Sequence, residues 1–409
     1  MNTLKFGNGE WYGKEGTILA YNDENNNYKP LPFTFDRDSV ATRVNKQGLI
    51  ETVGADQPRI DYLNDSNGAL LLEPQSTNIN PDGGVYNWSK SDASLSTEVQ
   101  LISPSGNLES VGLVIPKSTG SSTFRGFSRV ISGLTSGDLY QYSVFVKKKD
   151  ARYCMLKLRN TGNDVAFDLD TKQIVGNSNI SQGFSFEEYS NGWIRLVLGC
   201  NVAADGRIYM GIGCSQALPS GGNDFTGADG SSGMYCTFAQ LEAGSYATSY
   251  IPTQGSAVTR LLDNVADMTG LQSKSLLGVN QGTWFVDLKD MFFEITGTGV
   301  GSMVLYLDSG NQIEFVPKTN TSFKITLNNS IALDNISGQN KIAISYDSNG
   351  LVIYKNGVSE YTTSSSEYSS AYNELHLSQS TRPHRININN MKLYNTRLSN
   401  SQLAALTQV

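Results

Sequence analysis

At 409 residues the chain exceeds one ordinary core, and two or three domains of roughly 100–200 residues are expected. Only 17% of residues are charged and 39% are hydrophobic, with 40 glycines and 20 tyrosines, a balance of turn formers and β-preferring side chains that predicts an all-β protein with very little helix. A net charge of −7 and a pI near 5.0 exclude nucleic acid or an anionic membrane as the main partner, because either would repel most of this surface.

The opening "MNTLKFGNGEW" lacks the apolar stretch of a secretion signal, and no apolar run reaches the roughly 18 residues that cross a bilayer, so synthesis in a cytoplasm without membrane insertion is expected. Residues 1–85 read as an extended attachment segment. "YNDENNNYKPLP" has too few apolar side chains to order by itself. Within the segment, "VATRVNKQGLIETV" is a hairpin around Asn45, Lys46, Gln47 and Gly48, and "ALLLEPQSTNINP" is an apolar run closed by prolines.

Residues 86–252 carry strands at regular spacing, among them "LYQYSVFVKKK", "RYCMLKLRN", "DVAFDLDTKQIVG", "WIRLVLGCNV", "RIYMGIGCSQ" and "MYCTFAQLEA". Short strands between Gly, Asn, Ser and Asp corners predict a β-sandwich of the jelly-roll type. The long glycine-rich loop at 215–233 is the exception, placed where sandwich proteins carry binding surfaces.

Residues 253–280 read as a linker to a second sandwich at 281–409. In "KIAISYDSNGLVIYKNGVSEYTT" the apolar period of two and the Asn356-Gly357 corner predict three antiparallel strands. At the end, Ser399 or Asn400 caps a short helix with Leu403 and Leu406 on one side. The fold class is therefore all-β, two β-sandwich domains after an extended N-terminal segment.

The residues give little chemistry to a catalyst. Cys154, Cys200, Cys214 and Cys236 fall in strand-like runs at no zinc-finger spacing and read as reduced core thiols, and His376 and His384 have no metalloprotease or triad context. Asp168 and Asp170 share a strand face near Asp164, and Glu187 and Glu188 adjoin, but three acids alternating on one strand are absent. These acids read as an exposed face, as does the basic "KKKD" at 147–150. No nucleophile elbow, phosphate loop or dinucleotide fingerprint occurs, so no catalytic residue is assigned and binding is expected in place of turnover. The loop acids Asp224 and Asp229 are the candidates for a loop calcium, the one cofactor considered. Tyr235, Phe225, Tyr368 and Tyr372, which lie in or beside polar loops, are the candidates for carbohydrate binding, since an aromatic face packs on the apolar face of a sugar.

"FTFDRDSVATRVNKQGLIETV", "PRIDY" and "LLLEPQSTNI" resemble the amino-terminal module of many bacteriophage fibre and tail proteins, and "NGWIRL" and "FAQLEAGSYATSYIPT" the carbohydrate-binding-like jelly roll that comes after it. "KIAISYDSNGLVIYKNGV" and "MKLYNTRLSNSQLAAL" are similar to laminin-G or concanavalin-A-like lectin domains. The resemblance implies a virion surface fibre, assembled in the host cytoplasm, with residues 1–85 docked to other virion proteins, a homotrimeric state, and outward domains that adhere weakly to glycans. A head position is favoured over a tail position, since 409 residues are few for a long shaft and no heptads occur. A capsule depolymerase of a phage tail and a purely structural capsid decoration are the alternatives.

Overall fold

The computed structural model describes the backbone of residues 3–7, 11–14, 17–22 and 27–30. From 34 to 409 it describes all but 92–95, 119–124, 160–162, 179, 181, 220–227, 266–267, 294–302, 309–310, 320, 366–371 and 378–383. Among the described residues the regular structure is strand, apart from a single 3₁₀ turn and one α-helix, Asn400–Thr407. The all-β class expected from the composition is the observed one. The chain divides into two compact units, one of residues 1–46, 52–75 and 261–409, the other of 47–51 and 76–260.

The second of these is a sandwich of two six-stranded sheets. One runs Ser89–Ser91, Gly126–Ser132, Arg207–Ser215, Tyr153–Arg159, Asn163–Asp168, Gln173–Ser178. The other runs Thr97–Ile102, Leu108–Val114, Met234–Ala243, Leu139–Lys148, Ile194–Asn201, Phe184–Glu188. The period-two pattern explains the packing. Tyr142, Val144 and Val146 from one sheet meet Cys154, Leu156 and Leu158 from the other in one core. All four cysteines are free and buried there, and burial pushes the Cys200 thiol up to about 12, so these groups behave as small hydrophobes.

Hydrogen bonds explain the path of the chain after the Met234–Ala243 strand. The buried Glu242 carboxylate accepts from the Ser76 hydroxyl (2.7 Å), Gln240 Nε2 (2.7 Å), the Thr248 amide (2.9 Å) and the Thr248 hydroxyl (2.7 Å). Gln240 Oε1 accepts from the Ile251 amide and Asn78 Oδ1 from the Leu241 amide, which pins the returning chain to the sheet.

In the other unit an eight-stranded sheet runs Val358–Thr363, Gly350–Lys355, Asn340–Asp347, Gly282–Phe293, His384–Tyr394, Ala69–Leu72, Arg59–Asp61, with Thr3–Gly7 also paired to His384–Tyr394. It packs on a six-stranded sheet running Met268–Thr269, Glu374–His376, Met303–Asp308, Asn311–Thr319, Ser322–Leu327, Ser330–Ser337, through a core that includes Trp284, Ile344, Phe315 and Phe323. The expected meander is present. Asn356 and Gly357 both take positive φ, 49° and 85°, as a type I′ corner requires. The helix is capped by Ser399, whose hydroxyl accepts from the Gln402 amide, while Leu403 packs on Phe285, Ala343 and Val352.

The boundaries drawn from sequence divide the chain differently. Residues 59–61 and 69–72, read as part of an attachment segment, are fully buried strands of the eight-stranded sheet, and both strands of the expected hairpin form, at Ala41–Val44 and Ile50–Val53. The stretch read as a linker is also paired. Val258–Arg260 lies on Ser76–Asn78, Asn264–Val265 on Phe35–Asp36, and Met268–Thr269 on Glu374–Leu375.

Buried charge is what builds this region. Asp263 Oδ1 accepts from Arg37 Nη1 at 2.9 Å, Asp263 Oδ2 from Arg59 Nη2 and from the Glu73 amide, and Glu73 Oε2 from Arg59 Nη1 at 2.7 Å. Arg385 Nε lies 3.6 Å from Glu73 Oε1. The side chains of Arg37, Arg59, Glu73 and Asp263 are 0% exposed. Burial alone would lower the Arg59 pKa, but Asp263 and Glu73 outweigh it and hold the guanidinium charged.

Removing one partner leaves a buried charge uncompensated, so Asp263→Ala is expected to cost roughly 3–5 kcal/mol in chemical denaturation. Asp170→Ala, at the exposed pair with Lys148, is expected to cost about 0–1 kcal/mol.

Candidate functional site

Alternation that turns apolar side chains into the second unit's core turns a different set outward. On the sheet containing Arg207–Ser215, residues Ile208, Met210, Ile212 and Cys214 are core, which leaves Tyr209, Gly211, Gly213 and Ser215 on the outer face. Register places Gly211 between Ser128 and Lys157, with Lys157 opposite Asp164. One row over, Gly213 lies between Gly126 and Met155, and Met155 opposite Ala166. On the other side, Tyr209 lies between Val130 and Arg159.

Gly126, Gly211 and Gly213 occupy neighbouring positions and all three are buried, and a Cβ at Gly126 would meet the Ile212 backbone of the paired strand. Part of the strip is covered. Met155 and Ala166 are fully buried in a small apolar cluster with Ala228, from the return limb of the 215–233 loop. The row beside it is more open, with Val130 47% exposed and Tyr209, Lys157 and Ser128 half-buried. An aromatic ring, an ammonium and a hydroxyl thus lie together in this row, with the Asp164 carboxylate buried opposite Lys157. This set suits non-covalent recognition of a hydroxylated ring, with the aromatic face on its C–H groups and the polar groups on its hydroxyls.

The residues singled out from sequence are placed elsewhere. Tyr235 is half-buried on the other sheet, opposite Leu113 and Lys147. Phe225, Tyr368 and Asp224 lie outside the described residues. Tyr372 is a correction: it is fully buried, edge-on to Tyr346 at 5.0 Å and 82°, so its ring has no face for a ligand. Its small polar neighbours suggested a loop platform, but the ring turns into the core. Asp229 is exposed, yet its carboxylate already accepts from the Ser231 and Ser232 amides and the Ser232 hydroxyl, which hold it well below the usual carboxylate range. Among the described residues no group of three His, Cys, Asp or Glu able to hold a metal occurs.

Of the acids considered for catalysis, Asp168 and Asp170 are held in ion pairs, and Asp164 and Asp168 are buried where an exposed face was expected. Asp168 accepts from Arg152 Nη2 at 2.7 Å and Arg152 Nε at 3.1 Å, and from the Asp170 amide, and Asp170 accepts from Lys148 at 2.7 Å. In the "KKKD" run, Lys147 donates to the Asn191 carbonyl and Lys149 to Asp150. His384 is buried, and His376 lies 3.4 Å from Glu374.

Sequence reasoning missed Tyr209 and Lys157. The signal was present in "RIYMGIGCS", where tyrosine and two glycines alternate with four apolar residues, but only the apolar half of that pattern was read.

No family model matches the chain, and no curated protein matches it significantly. Among solved structures, domain 4 of AbnA, a GH43 extracellular arabinanase from Geobacillus stearothermophilus in complex with arabinotriose, is 18% identical, covers 40% of this chain and 82% of its own, and gives a TM-score of 0.27. The N-terminal CBM22-1-CBM22-2 tandem domain of Paenibacillus barcinonensis Xyn10C is 10% identical over 80% of this chain and 91% of its own, at 0.25. Trypanosoma rangeli sialidase in complex with the inhibitor DANA is 10% identical over 97% and 83%, also at 0.25. Scores this low establish no shared fold.

The Arg152 guanidinium holds the Asp168 carboxyl well below the usual carboxylate range, so the pair's stabilisation is full above the ordinary carboxylate pKa of about 4 and is lost as pH falls below it. In a carboxyl NMR titration, Asp168 is expected to stay ionised as pH falls through that value, and Arg152→Ala to bring its midpoint up toward it.

Proposed function

We propose that this chain is a surface-displayed adhesive protein that binds glycans without turning them over, through the outer face of the sheet containing Tyr153–Arg159 and Arg207–Ser215. The observation that supports it is the half-buried row of Tyr209, Lys157 and Ser128 beside the exposed Val130, which register brings together on one face of the sheet. Tyr209 supplies the apolar face, and the Lys157 ammonium and the Ser128 hydroxyl supply polar groups for sugar hydroxyls. So few contacts make each site weak, and several copies held together raise the apparent affinity without new contacts.

The setting rests on the resemblance to bacteriophage appendages: a virion surface, a head position ahead of a tail position, attachment through the opening segment, and three copies. A binding role is preferred to a depolymerase because a general acid needs a carboxyl held neutral near working pH, whereas Arg152 keeps Asp168 ionised.

Purified chain on a glycan array is expected to select a subset of bacterial or mucus polysaccharides. Tyr209→Ala is expected to weaken that binding about tenfold, or about 1.4 kcal/mol, with the thermal transition unchanged. Absence of binding across the array, or unaltered binding by the variant, would reduce the protein to a structural component.

A further inference from the structure

The strand His384–Tyr394 is bordered along one edge by Gly282–Phe293. Its other edge is shared by two short strands placed end to end. Ala69–Leu72 pairs with Ile386, Asn387 and Ile388, and Thr3–Gly7 pairs with residues 390–394. Without Thr3–Gly7, those five residues would be an open edge within an otherwise paired sheet, and open edges recruit strands.

The register gives this edge a second property. Leu4 stands opposite Leu393 and Phe6 opposite Met391, and both partners are fully buried in the core. An extended segment placed here therefore meets a row of backbone groups together with alternate positions over a hydrophobic core. That is the combination by which strand addition gains affinity from main-chain bonds and specificity from every second side chain. The arm pairs with none of the next three strands of the chain, although it lies against Thr17–Asn22. Trp11–Lys14, Thr17–Asn22 and Asn27–Pro30 pair with one another in a three-stranded sheet of their own.

We propose that Thr3–Gly7 is an exchangeable arm, and that residues 390–394 accept the same strand from a second copy of the chain. The bonds formed are identical whichever copy supplies the strand, so the choice between own and neighbouring arm is set by connection and local concentration. The inference is independent of the glycan reading, since it uses neither Tyr209 nor the sheet that carries it.

Lys5 stands opposite Lys392. Antiparallel partners lie with Cα atoms about 4.5–5.5 Å apart, inside the disulfide window of about 4.4–6.8 Å. Chains carrying Lys5→Cys and chains carrying Lys392→Cys are mixed, unfolded, refolded together and treated with oxidised glutathione. A chain carrying Ser330→Cys, at an exposed position in a different sheet, replaces the Lys392→Cys chain as the collision control. The expected result is a cross-linked species of twice the chain mass, joined between positions 5 and 392, at a yield several-fold above the collision control. Three results overturn the proposal: a yield equal to that control, cross-linking only within single chains of the Lys5→Cys/Lys392→Cys double variant, or no cross-link in either format.

Discussion

The Asp263 carboxylate, shared between Arg37 and Arg59 out of contact with water, is the constraint on which the first unit depends. Residues 37, 59, 73, 263 and 385 meet there although the chain leaves this unit and returns between 75 and 261. Hydrophobic contact alone would tolerate a shifted register in these short strands. Buried charges do not, because each carboxylate must find its guanidinium or remain uncompensated at a cost of several kcal/mol. Arg37 adds donations to the Gly54 and Gln57 carbonyls, so the loop between two strands is fixed by the same group. Specificity of arrangement, more than net stabilisation, is what such a cluster offers.

The second unit uses neutral donors to the same end. Glu242 gathers a hydroxyl, an amide side chain and Thr248, and so holds the returning chain at 244–253. The Trp193 indole donates to the Ile102 carbonyl and Asn191 Nδ2 to the Ser103 carbonyl, which ties the corner at 191–193 to another strand. With the framework fixed at these points, the outer face of one sheet is free to carry glycine where a core-facing strand would carry bulk, and that freedom shapes the strip beside Tyr209.

What was legible in the sequence was what repeats. Period-two alternation gave the strands, Asn356-Gly357 gave the corner, Ser399 gave the helix start, and the placement of the four cysteines gave their burial. The words that suggested a family, "FTFDRD", "PRIDY" and "LLLEPQ", contain Arg37, Arg59 and Glu73, so their distinctive letters are the buried ion pairs. Residues 1–85 read as an attachment segment because "YNDENNNYKPLP" has few apolar side chains, and nothing in that reasoning marks the charges further along as buried partners. The candidate face was illegible for a related reason. Its residues lie on four strands scattered between 126 and 213, and only register brings them together. Tyr372 misled because small polar neighbours describe a residue's position along the chain and say nothing of where its ring points.

The four thiols have a consequence for where such a molecule can work. Each is sealed inside a sandwich, and burial keeps the protonated form, which neither attacks disulfides nor coordinates soft metals. Native folding therefore asks nothing of an oxidase or an isomerase, and the folded chain is indifferent to the redox potential around it. The same covalent structure serves in a reducing interior and in aerated water outside.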